Sequence, residues 1–150
     1  MALLALPVVA AAQAPADVPF TVRGAFLGLS TPDVASSARW YKEKLGLREV
    51  MNIPKRDKTT VIVLSGGGLT VELLQHDDAT APPAKPNYLV HGLFKVGITV
   101  DDLDKTLAAL KARGVEPAMG PFPARGDQAA NAIIRDNMGT FIQLFGPAPR

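Results

Sequence analysis

The stretches GLSTPDV at 28–34 and GITVDDL at 97–103 follow one pattern at an offset of 69 residues, and this pair decides the fold. Self-similarity at a fixed offset marks a repeated structural unit. Beyond the first stretch, Val34, Ala38, Tyr41 and Leu45 fall at i, i+4, i+7 and i+11, and Leu103, Leu107 and Leu110 repeat the first three places. Each set is the apolar stripe of a short amphipathic helix. Asp33 and Asp102 stand where an N-cap accepts from free backbone N–H groups, while Gly46 and Gly114 stand where a left-handed C-cap favours a residue without Cβ.

The similarity continues at an offset of 71: TVIVL at 60–64 parallels NAIIR at 131–135, and GLTVEL at 68–73 parallels GTFIQL at 139–144. Each pair reads as two strands joined by a tight glycine turn. The residues gained between the halves fall in GPFPARGDQ, 120–128. Each copy therefore predicts strand, helix, strand, strand, strand. The fold class is α+β, two tandem βαβββ modules over 20–76 and 92–146 that make one domain with an antiparallel-rich mixed sheet. Residues 77–91 form a Pro-rich linker, because Pro82, Pro83 and Pro86 withhold ladder donors. Residues 51–59 and 120–130 are expected as loops.

Composition agrees. The 150 residues are 47% apolar and 20% charged, a single domain's length, and the absence of cysteine excludes a disulfide scaffold and a cysteine metal site. Sixteen Lys+Arg against fourteen Asp+Glu leave a net charge of +2, with no basic block interleaved with aromatics. That argues against nucleic acid as a partner. Thirteen Gly and thirteen Pro suit many short strands better than a helical bundle.

At the N-terminus, ALLALPVVAAA at 2–12 is an uncharged apolar run followed by Ala12-Gln13-Ala14. It is shorter than the roughly 18–20 apolar residues a membrane span needs and has small residues where a signal peptidase cuts. The charged start of a secretory signal is absent, and a buried Ala/Leu helix is the alternative, but Pro7 and the following PADVP suit a helix poorly. The expectation is a signal peptide over 1–14, hence a periplasmic or secreted protein with no membrane attachment after cleavage.

Strand parity sorts the side chains. Leu27, Leu29, Val71, Leu73, Val96, Ile98, Ile142 and Leu144 share an apolar face for the helices to cover. The opposite face carries Phe26, Gly28, Thr70, Glu72, Leu74, Lys95, Gly97, Phe141, Gln143 and Phe145. Phe26 and Lys95 are repeat-equivalent, as are Glu72 and Gln143. An antiparallel sheet often leaves one face to water. The phenyl rings argue instead for a lined pocket, since each is worth about 1.5–3 kcal/mol when buried. In such a pocket Lys95 and Glu72 are expected to pair with each other or with a ligand.

The duplicated module, with GLSTPDVASSARWYKEKLGL and VGITVDDLDKTLAALKARGV opening its copies and RDNMGTFIQLFG closing the second, resembles the vicinal oxygen chelate superfamily. That superfamily includes glyoxalase I, extradiol dioxygenases, methylmalonyl-CoA epimerases, fosfomycin-resistance enzymes and bleomycin-resistance proteins. The resemblance covers about 22–146 and implies that each module curls into a cup. It implies a divalent metal held by the first and last strands of both modules, and a homodimer. The usual ligand positions fall on Phe26, Glu72, Lys95 and Gln143. Phe26 has no lone pair and Lys95 is a poor ligand, so no metal and no other cofactor is expected unless an atypical set holds a divalent ion. The expected ligand-binding residues for a small, partly apolar molecule are Phe26, Glu72, Lys95, Phe141 and Gln143. The alternative is a glyoxalase-like lyase or isomerase, or a dioxygenase-type enzyme, in which Lys95 holds a substrate carboxylate or enolate and Glu72 acts as catalytic base.

Other residues read as structural. His76 and His91 flank the linker and suit exposed or turn-capping roles, and Trp40 and Tyr41 suit packing. Gly66 to Gly68 lack the helix and Lys of a phosphate loop and read as a hairpin turn. Arg125 is a lid candidate or a solvated residue.

Overall fold

The structure, a computed structural model, describes residues 24–81 and 93–147. The expected leader, Pro82, Pro83, Pro86 and His91 lie outside the described residues. The first module runs β1 (Leu27–Ser30), α1 (Val34–Leu45), β2 (Arg48–Arg56), β3 (Thr59–Gly66) and β4 (Leu69–His76). Its sheet has the order β1-β4-β3-β2, with β1 parallel to β4 and the remaining pairs antiparallel. The second module runs β5 (Lys95–Thr99), α2 (Leu103–Ala112), β6 (Met119–Phe122), β7 (Asn131–Arg135) and β8 (Phe141–Phe145). Its separate four-stranded sheet repeats the order as β5-β8-β7-β6. The duplicated βαβββ reading therefore holds, with each copy building its own sheet.

The helix punctuation works as the sequence implies. Asp33 accepts from the Ser36 N–H at 2.9 Å, and Asp102 accepts from the Lys105 N–H at 2.9 Å. Helix α1 ends on Gly46 at φ 73. Helix α2 closes one residue before the expected glycine, on Arg113, and Gly114 then takes φ 77 so that Val115 N–H reaches the Leu110 carbonyl at 2.9 Å. The stripe residues Val34, Ala38, Tyr41, Leu103 and Leu110 are buried, as are Val71, Leu73, Ile142 and Leu144 on the strands. The registers Leu27↔Val71, Leu29↔Leu73, Val96↔Ile142 and Ile98↔Leu144 put the predicted apolar set on one face of each sheet.

Of the two expected loops, 51–59 is largely strand, while 120–130 is strand only over its first three residues. Residues 51–56 continue β2, and the turn shrinks to Asp57 (φ 52) and Lys58 (φ 72) before β3 begins at Thr59. Met119–Phe122 forms β6, so only 123–130 connects it to β7. Pro54, Lys55, Arg56 and Pro121 gave both segments the look of loops. Both strands are sheet edges, where proline and charge are tolerated because one row of backbone groups is unpaired. At the other hairpin Gly67 (φ 56) and Gly68 (φ 83) form the two-residue turn between β3 and β4, a geometry that demands positive φ at both places.

The described chain falls into two compact units. One holds 24–81 together with Asp136–Gly139, the turn between β7 and β8; the other holds 93–135 and 140–147. Inside the first unit that turn is bonded to α1: the Tyr41 hydroxyl donates to Asp136 Oδ2 at 3.0 Å, and Asn137 Nδ2 donates to Ser37 Oγ at 3.1 Å. Among the described residues no helix is long and apolar enough to cross a membrane.

Candidate functional site

In the first unit, α1 covers the face carrying Ile62, Leu64, Val71 and Leu73. The other face is read from the register: Gly28, Glu72, Val63 and Met51 form one row across the sheet, and Leu74, Val61 and Ile53 the next. This face is open. Phe26 is 66% exposed, Met51 53% and Ile53 43%. A Cβ on Gly28 would meet the Phe26 ring at 3.9 Å, so the ring lies along the same face. Glu72 is half-buried here, and among the described residues it has no hydrogen-bond or ion-pair partner.

The corresponding face of the second unit is organised differently. Its rows are Lys95, Phe141, Arg135; then Gly97, Gln143, Ile133, Met119; then Thr99, Phe145, Asn131, Phe122. Gln143 and Asn131 are 3% and 4% exposed and Phe141 is 6% exposed, so these positions are interior. The polar pair is fully bonded. Asn131 Nδ2 donates to the Ala129 carbonyl at 3.2 Å, which turns Oδ1 toward Gln143 Nε2 at 2.9 Å. Gln143 Oε1 then faces away and accepts from Lys95 Nζ. Aromatic rings surround this chain: Lys95 Nζ lies 5.2 Å from the Phe94 ring centre, the Arg135 guanidinium lies 4.1 Å from that of Phe141, and the Phe145 ring sits 3.4 Å from where a Gly97 Cβ would be.

Of the five expected ligand-binding residues, the structure thus places Phe26 and Glu72 on the open face of the first unit. It brings Lys95, Gln143 and Phe141 together in the second. The hydrogen bond of Lys95 goes to Gln143, not to a carboxylate. Sequence reading passed over Asn131, although strand parity with Ile133 and Arg135 in NAIIR puts it on the Gln143 face. It also missed Asp136, whose partner Tyr41 was read as packing alone. Tyr41 is fully buried, and burial first, then the Asp136 charge, pushes its hydroxyl far above the ordinary tyrosine range. His76 Nδ1 accepts from the Asp78 N–H at 3.1 Å, and Asp77 and Asp78 pair with Lys55 and Lys58 at 2.6 and 2.8 Å, so this cluster finishes the β2–β3 hairpin. Arg125 is exposed and its backbone forms a small bridge with Gln128.

The family model of the Glyoxalase/Bleomycin resistance protein/Dioxygenase superfamily matches residues 24–144. The chain belongs to that superfamily. Solved structures share the fold at low identity. A glyoxylase/bleomycin resistance protein/dioxygenase domain from Frankia sp. EAN1pec is 21% identical, with TM-score 0.68 over 84% of this chain and 93% of that one. A glyoxalase family protein from Enterococcus faecalis is 19% identical, with TM-score 0.67 over 83% and 96%. TnmS3, an antibiotic binding protein from Streptomyces sp. CB03234, is 20% identical, with TM-score 0.61 over 85% and 99%. No curated protein matches the chain.

The divalent-metal positions expected from the superfamily resemblance are Phe26, Glu72, Lys95 and Gln143. These side chains do not fit such an ion. Phe26 has no donor atom, Lys95 presents an ammonium, and the amide oxygen of Gln143 already accepts that ammonium while its nitrogen is held by Asn131. Glu72 alone is an anionic ligand, where hard or borderline cations are held by three or more groups. Among the described residues no three His, Asp or Glu side chains cluster as a metal site requires.

Proposed function

We propose that this superfamily member is an exported, metal-independent binder of a small, partly apolar molecule. One observation carries the reading: on a sheet face left uncovered by its helix, Phe26, Met51 and Ile53 are exposed around the carboxylate of Glu72, which has no partner among the described residues. Burying each large apolar side chain against a ligand contributes about 1.5–3 kcal/mol, and Glu72 adds a polar contact that fixes orientation. The binding residues we assign on this face are Phe26 and Glu72; on the second sheet, taken by itself, the binding group we assign is Lys95, supported by Gln143 and Phe141. The antibiotic binding protein TnmS3 supports the reading in kind, because it uses the same fold. Export rests on the apolar run and small residues of 2–14.

The test is titration of the full chain with Nile red, a neutral apolar dye, with and without EDTA. We expect saturable fluorescence enhancement, indifferent to EDTA and to added nickel, zinc, manganese or iron, and weakened in Phe26→Ala. Stoichiometric metal binding lost in Glu72→Gln would overturn metal independence. Absence of dye binding would overturn the binding role.

A further inference from the structure

We infer that Lys95 is an anion-recognition group and that the bound molecule carries an acidic oxygen group, a carboxylate or one of similar size. The inference rests on the binding reading above and adds the chemical class of the ligand. It starts from the polarity of the buried chain. The Ala129 carbonyl fixes the Asn131 amide, Asn131 Oδ1 fixes the Gln143 amide, and Gln143 Oε1 fixes Lys95 Nζ. Each amide has one orientation that satisfies its neighbour, so the ammonium is held at a defined place on the sheet face. A side chain with four rotatable bonds pays most of its ordering entropy before any ligand arrives.

The second observation is the missing counter-charge. Lys42, Lys55, Lys58, Lys105 and Lys111 each lie within 4 Å of a carboxylate at the surface. Lys95 is half-buried, where an ion gains more from pairing than at the surface, yet among the described residues no carboxylate pairs with it. Its single acceptor is a neutral amide. An ammonium has three donors, and the amide uses one. The remaining two are those a carboxylate would take in charge-assisted hydrogen bonds.

The surroundings favour an anion. Phe141 lies between Lys95 and Arg135 in one row across β5, β8 and β7, with the Arg135 guanidinium over its ring. Two cationic residues therefore flank Phe141 in this row, and the Phe94 ring lies beside the Lys95 ammonium. Attraction between charges strengthens as the local dielectric falls. An acidic group with an apolar or aromatic body fits this pattern.

The experiment compares benzoate with its neutral isostere benzamide, with Nile red as an uncharged control, on the full chain. Binding is followed by the lysine side-chain signals in NMR and by isothermal titration calorimetry. We expect benzoate to shift the Lys95 signals saturably and to bind about tenfold or more tightly than benzamide, the difference expected of a charge-assisted hydrogen bond. Lys95→Met should remove that preference, and Lys95→Arg should keep it. Asn131→Leu tests the relay: the Lys95 signal should broaden and the benzoate preference should fall, without loss of dye binding. If Nile red binds but benzoate shows no preference over benzamide, or keeps it in Lys95→Met, the anion inference is wrong and the binding role stands. If neither the dye nor benzoate binds, both fall.

Discussion

Replacing Tyr41 by Phe removes one hydroxyl from the interior of the first unit, and its effect can be worked out from the structure. The side chain is 0% exposed, and its hydroxyl donates to Asp136 Oδ2 at 3.0 Å, on a carboxyl group itself 6% exposed. The other oxygen of Asp136 accepts from the Met138 N–H at 2.9 Å, so the variant leaves the carboxylate short of one donor without stripping it bare. A hydrogen bond to a charged group contributes about 1.5–3 kcal/mol, which for a chain of this size lowers Tm by roughly 3–12 °C. A second signature is alkaline. Burial, then the Asp136 charge, keeps the folded hydroxyl protonated at pH values where the unfolded chain ionises, near the ordinary value of 10.0. The folded pKa is raised, so the stability from this group is complete below the unfolded value. It declines above it by up to about 1.36 kcal/mol per pH unit. Tyr41→Phe lacks that decline. Urea unfolding of both proteins between pH 7 and pH 11, followed by far-UV circular dichroism and by Trp40, whose ring is 5.0 Å from Tyr41, measures both effects. Equal midpoints at pH 7, or the same alkaline loss in both proteins, would refute the assignment.

Three further expectations follow from single geometries. Gly120→Ala should lower the urea midpoint more than Gly68→Ala: both positions have positive φ, but a Cβ at 120 would lie 3.0 Å from the Phe122 nitrogen, whereas at 68 nothing lies within 4 Å. Leu73→Ala, fully buried beneath α1, should cost about 2–5 kcal/mol, while Leu74→Ala on the opposite face should cost far less and instead weaken Nile red binding. The Lys105 N–H at the start of α2 holds the Asp102 carboxyl below its ordinary range, so its contribution is present above pH 3.8 and fades as pH falls further. Asp102→Asn should flatten that acid limb of the Tm profile.

The repeat was legible because its signals are local: caps three residues from the N–H groups that donate to them, a helical stripe and a two-residue glycine turn are all written in neighbouring residues. Face assignment was legible for the same reason, since Leu27, Val71, Val96 and Ile142 need only strand parity to share a side with a helix. The edge strands were not. Pro54 and Pro121 contradict a strand in sequence, and only the sheet order explains why their missing donors do no harm. Residues of the site separated in the same way. Glu72, Lys95 and Gln143 followed from parity and repeat equivalence, but Asn131 matters through a diagonal contact with Gln143, and Asp136 through a contact across 95 residues of chain. Parity gives the face of Asn131 but not its partner, and the Asp136 contact leaves no periodic trace.

The difference between the repeat-equivalent Glu72 and Gln143 follows from their neighbours. Glu72 lies in a row with Gly28 and Val63, which offer no side-chain donor, so an ionised carboxylate there has to keep contact with water. That matches its half-buried state. Gln143 has Gly97 and Ile133 beside it and Lys95 and Asn131 on the two diagonals, a donor on one side and an acceptor on the other. Only a group that both accepts and donates can be buried between them, which an amide does and a carboxylate does not. A Glu at 143 would set an oxygen against Asn131 Oδ1, and turning the Asn131 amide to relieve that clash would break its bond to the Ala129 carbonyl. It would also neutralise Lys95. The neutral amide therefore satisfies a buried relay and at the same time leaves the ammonium without a counter-charge among the described residues, and anion recognition requires both.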